Sequence, residues 1–138
     1  MMSPKPLDPP SPILPDDDVR DVLTKALAAV TGGGSGARLG AKITPIRGAS
    51  RFIEVPLTQW SYDLVRDSIQ QILATSPGGE QMVGLVRGGA MAMNPALVQA
   101  IWHENGVHLT VHAFEGLIKQ HTAEKVLDNL EYFLDGGR

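Results

Sequence analysis

Residues 82 to 114 read MVGLVRGGAMAMNPALVQAIWHENGVHLTVHAF, and the reading of this stretch decides the fold. Its end alternates cleanly. Val107, Leu109, Val111 and Ala113 fall on one side of an extended chain, and His108, Thr110, His112 and Phe114 on the other. A period of two with β-branched residues predicts a half-buried strand. Its start, Met82 to Val86, is a short apolar run that predicts another strand. Gly88-Gly89 then has the chemistry of a two-residue turn, making a tight hairpin that returns through Ala90 to Met93. In the middle, Asn94-Pro95 reads as the cap and first position of a helix. Leu97, Val98, Ile101 and Trp102 supply its core face, and Asn105-Gly106 its stop.

Working outward, Thr122 is placed to cap a last helix with Val126, Leu127, Leu130, Phe133 and Leu134 inward, closed by Gly136-Gly137. Upstream, Pro56 and the capping residue Thr58 open a helix whose stripe is Trp60, Leu64, Val65, Ser68, Ile69, Ile72 and Leu73. Ser76-Pro77-Gly78-Gly79 ends it. Residues 37 to 55 read as two strands, Ala41 to Ile46 and Arg51 to Val55, joined by the turn residues Arg47-Gly48-Ala49-Ser50. Pro45 puts the first of them at a sheet edge. A first helix starts at Asp16-Asp17-Asp18, buries Val19, Val22, Leu23, Ala26, Leu27 and Val30, and stops at Gly32-Gly33-Gly34.

The order is α-β-β-α-β-β-α-β-α. Hairpins outnumber crossovers, so the expected class is α+β, a mostly antiparallel sheet with helices packed on it. Residues 1 to 15 hold six prolines and predict a disordered proline-rich arm, whose Pro6, Pro9 and Pro12 have PxxP spacing. Residues 16 to 138 are then one α+β domain, an ordinary size for one core. The net charge of −3 argues against attraction of the whole chain to nucleic acid or an anionic membrane. Without cysteine there is no disulfide, thiolate metal site or cysteine nucleophile. No apolar run approaches the roughly 20 residues of a membrane span, and the expected location is the cytoplasm.

Several clusters are candidate sites. Gly32-Gly33-Gly34-Ser35-Gly36 follows a helix and precedes a strand, the reverse of a phosphate-binding loop, and reads as a connector. Asp63 and Asp67 flank Arg66 one helical turn apart, as on a solvated helix face. His103, His108 and His112 cluster in the C-terminal third, with His121 beyond. His108 and His112 share a strand face, yet four residues of strand span roughly 13 Å, too far for one zinc ion. No metal and no cofactor is therefore expected. Between Ala37 and Arg51 stand Arg38, Lys42, Arg47 and Arg51 with no acid, a basic hairpin suited to a polyanion.

The segment from Met82 to Ile101 resembles the strand–Arg-Gly-Gly–helix segment of phosphoribosyltransferases. The resemblance implies a strand followed by a helix. It stops there, because the later acidic pair and glycine/threonine-rich loop of that family have no counterpart, and no site residue is carried over.

No catalytic motif is present. The leading expectation is a non-catalytic binding or assembly module that pairs with itself as a homodimer or with another protein, helped by the methionine-bearing hairpin from Met82 to Met93. The alternatives are a small enzyme using His103, Glu104, His108 and His112, and a nucleic-acid accessory protein using the basic hairpin.

Overall fold

The computed structural model describes residues 16–31, 45–56, 58–76, 80–88, 94–115 and 121–135. In chain order these form α1 (Asp16–Thr31), β1 (Ile46–Glu54), α2 (Gln59–Ser68), β2 (Gln71–Thr75), β3 (Gln81–Gly88), β4 (Asn94–His103), β5 (Gly106–Phe114) and α3 (Thr122–Leu134). The strands make one sheet in the order β1-β5-β4-β3-β2, with every neighbouring pair antiparallel. The architecture is α+β.

Parity along the strands sorts the two faces. Ile53, Leu109, Val98, Ala100, Trp102 and Met82 point to the layer formed by α2 and α3, where Val65, Val126, Leu127 and Leu130 close the larger core. Val83, Leu97 and Phe114 point the other way and are covered by Val19 and Leu23 of α1. β3, β4 and β5 are thus sandwiched between helices.

The α1 and α2 starts follow their sequence signals. Thr58 and Ser61 form a reciprocal capping box: the Ser61 N–H donates to Thr58 Oγ1 at 3.1 Å and the Thr58 N–H to Ser61 Oγ at 3.0 Å. α3 begins differently from expectation. Its N-cap is His121, left-handed at φ 53°, whose N–H donates to Glu115 Oε1 at 2.6 Å, while Thr122 is buried inside the first turn.

Three stretches depart from the sequence reading. First, residues 94 to 103 are a strand, not a helix, which also ends the likeness to the phosphoribosyltransferase segment. The helix-like spacing arises because β4 is buried on both faces: Leu97 and Ile101 lie on the α1 side, Val98 and Trp102 under α2 and α3. A doubly buried strand is a near-continuous apolar run that periodicity cannot tell from a helix. Pro95 is tolerated because the ladder to β5 starts one residue later, at Ala96. Glu104-Asn105 is accordingly a β-turn between β4 and β5.

Second, Arg47 to Ser50 is no turn; it pairs residue for residue with Ala113 to Thr110 inside the continuous strand β1. The residues 41 to 44 of the expected first strand lie outside the described residues, as do residues 1–15 of the expected arm, the glycine cluster 32–36 and residues 89–93 of the expected hairpin. Third, α2 stops at Ser68, and residues 71 to 75 form β2. Ser68 Oγ donates back to the Leu64 carbonyl at 2.7 Å, and the Ile69 N–H closes a tight last turn on the Arg66 carbonyl. Ile69 is then extended at φ −89°, ψ 116°, which redirects the apolar run Ile72-Leu73 into a strand.

Candidate functional site

Strand register assembles the histidines. Phe52, His108 and Ile101 lie abreast on β1, β5 and β4, and the next row holds Glu54, Gly106 and His103. All are on the α1 face of the sheet. Gly106 carries no side chain, and a Cβ there would lie 2.6 Å from Phe52 Cζ and overlap the Ile53 carbonyl. The Phe52 ring occupies that space, with its centroid 6.1 Å from His103 and 6.4 Å from His108, the latter edge-on. His108 is only 8 % exposed, and its Nδ1 is buried with no hydrogen-bond partner. Burial pushes the His108 imidazole below its ordinary pKa, and the neighbouring His103 adds to the effect.

His112 stands apart from this pair. It lies across Gly48 of β1, where a Cβ would come within 2.8 Å of its ring. Between the two histidine positions, the Ser50 and Thr110 hydroxyls meet at 3.2 Å. The structure therefore brings together His103 and His108 but not His112. Among the described residues no three histidine, aspartate or glutamate side chains converge as a metal site. His108 packs under Phe52.

The lowered His108 pKa has a consequence for stability. Below the ordinary value of 6.5 the unfolded chain takes up this proton before the folded chain does. Stability supplied by the neutral imidazole is present above that pH and is lost as the pH falls below it. Urea midpoints taken from pH 7.5 down to 5 should fall more steeply for the wild type than for His108→Gln. Parallel curves would show that His108 is solvated.

The arginines are also placed differently. Arg47 and Arg51 lie on one strand and one face, toward α3, rather than across a turn. Arg51 Nη1 is 2.8 Å from both Asp128 Oδ1 and Glu131 Oε1, and Arg47 Nε is 3.9 Å from Glu115 Oε2. The Asp128 hydrogen bond, with the nearby Glu131 charge, raises the Arg51 pKa further, against a smaller opposing effect of burial. Arg51 thus straps the edge strand to α3. Arg38 and Lys42 lie outside the described residues.

Two surface features were not found from sequence. One is β2, a wholly exposed edge strand in which Ile72 and Leu73 are each 39 % exposed. The other is a set of aromatic side chains on the helices. Trp60, expected in the core stripe, is 56 % exposed, and Phe133, expected inward, is 47 % exposed beside Tyr132 at 49 %. The stripe of α2 runs through Ser61, Val65 and Ile69 instead, with Leu64 half-buried. The buried serine of the capping box hid the phase of that helix.

No family model, no curated protein and no solved structure matches the chain. Among the described residues, no helix is long and apolar enough to cross a membrane.

Proposed function

We propose that the chain is a non-catalytic assembly module that forms a homodimer through the β2 edge. One observation supports this reading: Gln71-Ile72-Leu73-Ala74-Thr75 is an outer strand, carries no charge and is exposed at every position. An outer strand presents unpaired N–H and C=O groups, and chains guard such edges with charge, proline, bulges or cover. The opposite edge is guarded. β1 carries Arg47, Arg51 and Glu54, and Arg51 is strapped to α3. β2 has a bulge at Leu73, between the pairs Ile72–Gly84 and Ala74–Val83, but no charge. Ile72 and Leu73, at that bulge, are each 39 % exposed.

A second copy satisfies the edge most simply, because a twofold axis sets β2 antiparallel to itself and buries the same residues on both sides. Met82 of the expected methionine-bearing hairpin is buried on the interior strand β3, and Met91 and Met93 lie outside the described residues. Sedimentation velocity at micromolar concentration tests the proposal. The wild type should run as a dimer and Leu73→Lys as a folded monomer. A wild type that is monomeric at every concentration contradicts it.

A further inference from the structure

Five large apolar side chains are strongly exposed among the described residues, and they fall into two groups. Ile72 and Leu73 belong to β2. Trp60, Tyr132 and Phe133 belong to the helix layer, and the chain path brings them to one end of it. α2 starts beside the β4–β5 turn, where the Val55 N–H donates to the Asn105 carbonyl at 3.2 Å. Trp60 is in its first turn. α3 starts after the opposite end of β5 and runs back. Arg51, three residues before the end of β1, holds Asp128 and Glu131 in the second half of α3. Tyr132 and Phe133, in its last turn, therefore reach the same end as Trp60. The two helices pack against each other.

Isolated exposed apolar residues are ordinary, but three aromatics at one end of a helix pair are not isolated. Tryptophan and tyrosine are the side chains most enriched at the energetic centres of interfaces. Tyr132 and Phe133 are already set edge to face at 5.9 Å.

Charge states what they fit. From Gln59 to Ser68 and from Thr122 to Asp135 there are six acids, Asp63, Asp67, Glu124, Asp128, Glu131 and Asp135, against two bases, Arg66 and Lys125; Arg51 of β1 offsets Asp128 and Glu131, and Glu124 lies beside Lys125 in the first turn of α3. Arg66 is taken up by Asp63 at 3.3 Å and Asp67 at 3.4 Å, and Lys125 lies in the first turn of α3, at the other end. Asp135 and Glu104 of the β4–β5 turn are exposed and make no ion pair among the described residues. A second copy would bring the same acidic end against this one, and like charges facing each other are repelled. We infer that this end of the helix layer docks a cationic amphipathic segment of another protein, anchored on Trp60, Tyr132 and Phe133.

The inference is independent of the β2 dimer. Its test uses the full chain and a synthetic helical peptide of leucine and lysine at 3–4 spacing, with a glutamate-for-lysine peptide of the same pattern. Binding is followed by the emission of Trp60, because Trp102 is buried. The lysine peptide should shift that emission to the blue and bind at least about tenfold more tightly than the glutamate peptide. By calorimetry, Trp60→Ser with Phe133→Ser should weaken it by about tenfold or more, since truncating interface anchors costs this much. Leu73→Lys should bind it as the wild type does. Equal binding of the two peptides, or equal binding to the double variant, overturns the inference. So does binding of anionic vesicles in preference to the lysine peptide.

Discussion

Leu109→Ala should lower the unfolding free energy by about 2–5 kcal/mol, the range for a buried leucine cut back to alanine. Leu109 has no exposed surface. It sits on β5, between Arg51 of β1 and Ala100 of β4, on the face packed by α3. Its neighbours come from three elements that are held by their own ladders and helices, so the cavity closes only in part. Against a total of about 5–15 kcal/mol for a domain, such a loss is a large fraction. It corresponds to a melting temperature lower by roughly 6–20 °C at this size. Leu64→Ala, on the half-buried flank of α2, should cost clearly less. Urea denaturation of both variants checks the order. A Leu109→Ala cost below that of Leu64→Ala would mean that the sheet faces are assigned the wrong way round.

Gly84→Ala is the second large effect, and it acts by overpacking. A methyl group at Gly84 would overlap Ile69 Cγ2 and lie 2.6 Å from the Gln71 carbonyl oxygen. The first obstacle is a buried side chain at the end of α2; the second is the backbone of the edge strand. Neither is the free end of a flexible group, so α2 or β2 must shift. Extra volume in a filled core costs about 1–3 kcal/mol. The displaced element includes β2, so Gly84→Ala should also weaken self-association in sedimentation. Unchanged stability together with an unchanged dimer would show that Ile69 does not lie over Gly84.

How much of this could be read from the sequence follows from which signals are local. Thr58 marked α2, Asp16 to Asp18 marked α1, and the alternation of β5 gave both its strand character and its faces, because caps and short-range periods are written in a few residues. β4 is not legible as a strand because burial on both faces erases alternation. The continuity of β1 is hidden because Gly48 resembles turn chemistry, whereas in the sheet its missing side chain leaves room for the His112 ring. The site is less legible still. That His103 and His108 meet around Phe52 depends on the pairing of β1 and β4 with β5, and a register is set by the whole sheet. Arg51 looked free because Asp128 and Glu131 lie 77 and 80 residues further along. Trp60 looked buried because a buried serine defines the inner face of its helix.

Under the proposed assembly, β2 pairs with β2 of a second copy. An isotope-filtered NOE experiment on an equal mixture of labelled and unlabelled chains tests it most directly. Intermolecular contacts should be confined to residues 70 to 76, with Leu73 near the twofold axis, and should be lost in Leu73→Lys. Intermolecular contacts from β1 instead, or none at a concentration where sedimentation reports a dimer, would contradict it.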